Sequence, residues 1–271
     1  MLKFLVLSFT FNFIILPFSW GAVQDIKGYK NTFSSILPTT KTYFEKASRL
    51  KPLDLPLGTA ISYDKCQEIL KRISNKPADL DCGDESNNRF FQKLSTKNQF
   101  DLPTSYLLQF SGEDGESQFT AHILLDSHYK LLEATSVSFS KNNTKTPAEF
   151  SIFSRDTEGN VYENILSKNQ YGKTETRQGI SLSDGTIPRG IQTTYPKNKK
   201  SNTNLTTVYL LRPLETAKTV KNPFELPSSY ESYVVTYENG KERCASVKIK
   251  VTDKTTHLPS ETEWDKCSEA I

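Results

Sequence analysis

The sequence predicts an α+β fold, in which short N-terminal helices pack on a large curved antiparallel β-meander of about ten strands, barrel-like or half-barrel. Three observations predict it. Only 36% of the 271 residues are hydrophobic, but 16 Phe and 12 Tyr provide enough aromatic surface for a folded core. Apolar residues with helical spacing occur before Pro103, and short alternating segments separated by turn residues follow it.

Residues 1–21 are predicted to be a cleaved signal peptide. Lys3 precedes an apolar run, and Ser19 and Gly21 supply the small residues that a signal peptidase requires. We place cleavage after Gly21, and an uncleaved membrane anchor is the alternative. We therefore expect an exported protein, periplasmic or secreted, with no membrane span in the mature chain.

The section 22–103 is predicted to be helical and irregular. Apolar positions within 29–50 indicate two short helices separated at Pro38, because proline disrupts a helix interior. A further helix begins after Ser62, which can cap it. Its apolar residues recur at intervals of three and four and are Cys66, Ile69, Leu70 and Ile73. A third helical piece is predicted over 85–97.

The section 104–271 is predicted to be the β-meander, and 22–271 to be one folded unit. Consecutive strands joined by short turns must run antiparallel, because parallel pairs need long crossover connections. The predicted strands lie near 104–110, 117–125, 129–139, 148–155, 160–166, 173–183, 187–195, 205–212, 231–238 and 241–252.

The hydrophobic pattern of two hairpins predicts their registers. A three-residue loop over 238–240 pairs Tyr233 with Ala245 and places Val247 on the tyrosine face. A three-residue loop over 126–128 would pair Ile123 with Leu131. His122 then falls on the opposite, mostly polar face, which is typical of a sheet with one solvated side.

The mature chain contains four cysteines: Cys66, Cys82, Cys244 and Cys267. An even number in an exported chain indicates two disulfides, for which three pairings are possible. We predict the sequence-local pairs, Cys66 with Cys82 and Cys244 with Cys267. A metal site of four thiolates is the alternative, and the absence of any C-x2-C spacing disfavours it.

Other residues with catalytic or ligand-binding potential have simpler interpretations. The acidic run 79–85 lacks the glycine and glutamate positions of a calcium loop and is expected to favour the N-terminus of a following helix. The segment 179–183 lacks the last glycine of a serine nucleophile elbow, and the basic run 195–200 is expected to be a solvated loop. The imidazoles are interpreted as exposed strand and loop residues, namely His122, His128 and His257.

The composition limits the function. With 34 Lys and Arg against 31 Asp and Glu, the chain lacks the basic excess of a nucleic-acid-binding protein. It shows no cofactor motif, so we predict no cofactor, metal or catalytic residues. The sequence predicts a non-enzymatic exported protein that binds an apolar ligand or a protein partner through its curved sheet. The alternatives are a surface or adhesive module without a cavity and a hydrolase that uses two carboxylates.

Overall fold

The structure is a computed structural model. The structure describes residues 26–74, 80–84, 86–114, 117–141, 147–168, 172–184, 187, 189–196, 203–213, 229–251 and 254–258. The predicted signal peptide and its cleavage site lie outside this part of the chain. No helix within it is long and apolar enough to cross a bilayer.

The described chain forms one antiparallel sheet in which every strand pairs with the next along the sequence. Its 13 strands are β1 (Thr59–Ala60), β2 (Asn88–Lys97), β3 (Pro103–Asp114), β4 (Ser117–Leu125), β5 (Leu131–Ser140), β6 (Glu149–Arg155), β7 (Val161–Lys168), β8 (Thr174–Ser181), β9 (Arg189–Pro196), β10 (Asn204–Pro213), β11 (Ser229–Glu238), β12 (Lys241–Val251) and β13 (Lys254–Leu258). The predicted meander is confirmed as β3 to β12. The sheet is not closed, because β1 and β13 are its two ends.

The predicted helix over 85–97 is wrong, since these residues form β2. Phe90 and Phe91 are adjacent in sequence and pair with Gln109 and Leu108 of β3, so they point to opposite faces of the sheet. Both also lie opposite β1 on the other side. Tertiary pairing on two sides therefore overrides the helical spacing that predicted a helix here. The acidic run before it precedes a strand, and the helix N-terminus it was expected to favour does not exist.

The prediction of two helices separated at Pro38 is also wrong. A single helix, α1 (Ile26–Ser48), continues through Pro38. Thr40, which is buried, donates a hydrogen bond from Oγ1 to the carbonyl of Leu37 at 2.8 Å. At the other end, Asn164 Nδ2 donates to the Leu50 carbonyl at 3.0 Å just beyond the helix. The apolar face of α1 packs on the sheet, and this packing stabilises the helix despite the proline.

The helix predicted after Ser62 is confirmed as α2 (Tyr63–Arg72). Ser62 Oγ accepts the backbone N–H of Lys65 at 3.2 Å and caps the helix. The predicted apolar face is buried, and Cys66 on that face forms the predicted disulfide with Cys82. Cys244 is buried in β12. Its predicted partner, Cys267, lies outside the described residues, so that pairing stays a prediction.

The two helices lie against opposite faces of the sheet. Strand residues alternate between faces, and the strand residues that pack with α1 point to the face opposite to those that pack with α2. We call these the α1 face and the α2 face. The α1 face has a core formed by Phe44, Ala47, Leu50, Ile152, Tyr162, Ile180, Val208, Leu210, Tyr233 and Val235. The α2 face has a core formed by Cys66, Ile69, Leu70, Ile73, Cys82, Leu108, Phe110, Ala121, Ile123, Leu125 and Ala134.

The register predicted for the β11–β12 hairpin is wrong, although the predicted face is correct. The turn has two residues, Asn239 and Gly240, both with positive φ (50° and 77°). A bulge near Arg243 then shifts the register, so that Tyr233 lies opposite Val247 and not Ala245. The extra residue is inserted within the strand instead of at the turn, and Val247 still shares the face of Tyr233.

The register predicted for the β4–β5 hairpin is wrong as well. Ile123 lies opposite Ala134 and not Leu131, and His122 lies opposite Thr135. Ala121–Leu125 and Leu131–Thr135 are buried throughout, on both faces of the sheet. A hydrophobic pattern determines register only where one face is solvated, so it could not do so here.

Candidate functional site

A groove lies at the end of the sheet, where β1 leads into α2 and passes the start of β2. Its volume is about 440 Å³. The residues that line it are Ala60, Ile61, Ser62, Tyr63, Asn87, Asn88, Arg89 and Phe90. These residues include one cation and no acid, so the groove does not carry the paired carboxylates that a glycoside hydrolase uses.

Arg89 organises the loop beneath the groove. Its guanidinium donates to the carbonyls of Cys82 (Nε, 2.9 Å) and Asn87 (Nη1, 2.7 Å), and also to that of Asp84. The same group lies over the ring of Tyr63, 5.0 Å from its centroid. Because Arg89 is buried and Cys82 is also tied to α2 by its disulfide, the loop and the helix form one rigid wall.

The extended segment before β1 places an apolar side chain beside the groove. Gly58 donates its N–H to Gln109 Oε1 at 2.9 Å, and Gln92 Nε2 donates to the Pro56 carbonyl at 2.8 Å. Leu57, held between these two bonds, is 66% exposed, and Tyr63 on the groove wall is 38% exposed. They are the large hydrophobic residues that the described chain exposes most.

Asn87 contributes an unused donor to the groove. The residue is only 8% exposed, and its Nδ2 has no hydrogen-bond partner among the described residues. Its Oδ1 lies so close to Gly112 that a side chain there would collide with it. Buried polar groups are normally paired, so an unpaired amide in a groove wall indicates a place for a ligand acceptor or a water.

His122 is buried and not exposed as predicted. Its Nε2 lies 3.6 Å from Oε1 of Glu133, which is completely buried. Glu133 Oε2 accepts the Ser154 hydroxyl at 2.8 Å and the Gln99 backbone N–H at 3.2 Å. The serine therefore donates to the carboxylate and not to the imidazole, so these groups do not form a nucleophile–base pair. They form a buried polar network on the α1 face, in which the Thr135 hydroxyl also has no hydrogen-bond partner among the residues that the structure describes.

The remaining candidate residues stay apart from the groove or outside the described chain. His128 is exposed in the β4–β5 turn, where Asp126 Oδ1 accepts its backbone N–H at 2.7 Å, and His257 lies in β13. Ser181 is the last residue of β8, as the strand interpretation of 179–183 predicted. Most of the basic run 195–200 lies outside the described residues. Within the described chain, no three potential metal-ligating side chains form a cluster.

The sequence did not predict the groove residues. Leu57 lies in a proline-containing segment that the sequence indicates only as extended, and the exposure of a single leucine has no sequence signal. Comparisons of the chain with family models, curated proteins and solved structures found no match. The geometry of the described residues is therefore the basis for a proposed function.

Proposed function

We propose that this protein is an exported, non-enzymatic binding protein that holds an extended segment of a protein partner in the groove beside β1. The observation that carries the proposal is the exposure of Tyr63 on the wall of this groove and of Leu57, three residues before the lining residue Ala60. Apolar side chains around a groove with a few fixed polar groups are typical of peptide recognition.

The position of the groove at an end of the sheet supports an extended partner. β1 has only two residues, so most of the outer side of β2 lies beyond it. An exposed sheet edge can bind a partner strand through main-chain hydrogen bonds, while pockets select its side chains.

Export is part of the proposal. The Cys66–Cys82 disulfide and the absence of a membrane-spanning helix among the described residues are compatible with it. We also propose that the open sheet curves as a half-barrel around α1, whose Phe44, Ala47 and Leu50 pack into the apolar core of that face.

Leu57→Ser tests the binding site. Peptides selected from a displayed random library on the full chain are the probe, and fluorescence anisotropy measures their affinity. Because Leu57 is mostly exposed, the variant should unfold at the same urea concentration as the wild type. We expect it to bind at least about tenfold more weakly, as for the loss of a central apolar anchor.

Lys168→Ser is the matched control. Lys168 is an exposed residue at the end of β7, five strands away from β2 in the sheet, and its substitution should leave the affinity unchanged. Equal affinities for Leu57→Ser and the wild type would contradict the proposed site. Equal losses in both variants would show a general surface effect and would contradict it too.

An apolar ligand on the α1 face is the second candidate. The observation that favours it is the wide apolar face of β6 to β12, which α1 now covers. A ligand there would have to displace α1. Native and denaturing mass spectra of the exported chain separate the two candidates: an additional mass in the native spectrum alone favours the ligand, and its absence favours the groove.

A further inference from the structure

A second cluster of charged residues lies on the α2 face, on β7, β8 and β9, whereas the core that α2 packs against is formed by β3, β4 and β5. Glu163 of β7 is flanked by Arg177 of β8 and Arg189 of β9. Glu163 Oε2 lies 3.5 Å from Nη2 of Arg177 and 3.8 Å from Nη2 of Arg189. The three side chains are only 7%, 13% and 10% exposed, respectively.

A glycine makes this arrangement possible. Gly179 lies directly opposite Glu163 on the neighbouring strand, and a Cβ atom there would collide with the Glu163 side chain. The glutamate therefore lies flat across the strand, between the two arginines. This position is unusual, because glycine in the middle of a strand weakens it and often marks the close approach of another group.

The cluster has more N–H donors than it uses. Two guanidiniums share the Glu163 carboxylate, and Arg177 also interacts electrostatically with the half-buried Glu175, whose pKa it lowers against the larger, opposite effect of burial. Both distances to Glu163 exceed the 2.7–2.9 Å typical of charge-assisted hydrogen bonds. The Nε of Arg177 is buried and has no hydrogen-bond partner among the described residues. Burial also lowers the pKa of Arg189, and Glu163 partly offsets this effect.

We propose that Arg177 and Arg189 form a binding site for an oxyanion, a carboxylate or phosphate group. Two guanidinium forks present several N–H donors to planar or tetrahedral oxygens. Glu163 Oε2 contacts both forks and would compete with the ligand for them. This site lies on β7, β8 and β9, whereas the groove lies beside β1 and β2, so the anion site does not depend on the proposed peptide binding.

The site predicts opposite effects for neighbouring substitutions. The full chain is titrated with inorganic phosphate, and separately with acetate, at low ionic strength, and binding is followed by calorimetry and by the shift in thermal midpoint. Arg189→Gln should weaken binding by about tenfold or more, since it removes one fork. Glu163→Gln should tighten it by about threefold or more, since it removes the competing carboxylate. Tighter binding of phosphate than of acetate would identify a phosphate site, and the reverse a carboxylate site.

Arg49→Gln is the control for net charge, because Arg49 is exposed and its neighbours Ser48 and Leu50 contact Asn164, on the opposite face of β7 from Glu163. It should leave both affinities unchanged. Arg189→Lys is the second variant, for use if Arg189→Gln does not fold, because it keeps the positive charge. It should still bind the anion more weakly than the wild type, since it lacks the guanidinium fork. Failure of both anions to bind the wild-type chain would overturn the proposal. Equal losses in Arg49→Gln and Arg189→Gln, or weaker binding by Glu163→Gln, would overturn it as well.

Discussion

Removal of the Cys66–Cys82 disulfide is expected to lower the free energy of unfolding by about 3 kcal/mol. The bond closes a loop with a sequence separation of 16, and the chain-entropy model assigns about this value to such a loop. Both cysteines are fully buried in the core of the α2 face, so lost packing adds to the effect. Urea unfolding of the Cys66→Ala/Cys82→Ala double variant measures it.

The same substitution should also affect the groove. The disulfide joins α2 to the loop that Arg89 holds, and residues next to both segments line the groove. We therefore expect peptide affinity to fall even under conditions in which the double variant remains folded. Ile69→Val, a smaller change in the same core, serves as the control and should leave affinity unchanged. A stability loss below about 1 kcal/mol would contradict the structural role assigned to this bond.

Glu133→Ala is expected to destabilise the protein by about 3 kcal/mol, because breaking a buried charged network leaves its partners without compensation. The Ser154 hydroxyl and the Gln99 N–H would lose their acceptor inside the protein. His122 would lose its neighbouring carboxylate at the same time. Equilibrium unfolding in urea measures the change.

Glu68→Ala is the matched control for that substitution. Glu68 forms an ion pair with Lys65 at 2.6 Å, but both side chains are more than half exposed on α2. Its loss should produce no measurable destabilisation, since solvent screens exposed pairs. If both substitutions lowered the free energy of unfolding by the same amount, the buried network around Glu133 would stabilise the protein no more than an exposed ion pair, and the role assigned to it would be wrong.

The strands after residue 103 were predictable because their apolar residues alternate and turn residues separate them. The helix from Tyr63 was predictable for a similar reason, since its cap and its apolar face are both local in sequence. The segment 85–97 was not, because the spacing of Phe90, Phe91 and Leu94 is compatible with a helix. Pairing with β1 and β3 makes this segment a strand, and these partners are other segments of the chain that the local pattern does not reveal.

Registers and buried polar groups were harder to predict than strands. The bulge near Arg243 moves an extra residue from the turn into the strand, and nothing in the alternating pattern indicates where it falls. His122 was expected on a solvated face because the predicted register placed it opposite to the face of Ile123, beside Thr120. It is buried because the loop at Asn98–Gln99 bonds to Glu133 and Ser154 on the same face. Such contacts between distant segments have no signature in one sequence.

The candidate sites are also products of tertiary structure. Leu57 lies between two hydrogen bonds that link its neighbours Pro56 and Gly58 to side chains of β2 and β3. The charged cluster depends on Gly179 lying opposite Glu163, and it is the pairing of β7 with β8 that brings them together. A glycine and two arginines several positions apart do not indicate an anion site until that pairing is known.

The most direct test of the groove is site-specific photo-crosslinking of the exported chain in the cells that naturally produce it. A photoreactive residue replaces Leu57 in one sample and Lys168, at the exposed end of β7, in another, and mass spectrometry identifies the crosslinked peptides. We predict that the position of Leu57 crosslinks to one extended segment of a protein partner, that the position of Lys168 does not, and that Tyr63→Ala abolishes the product. Identical products from both positions, or no protein product from either, would contradict the proposal that this protein binds a partner in its groove.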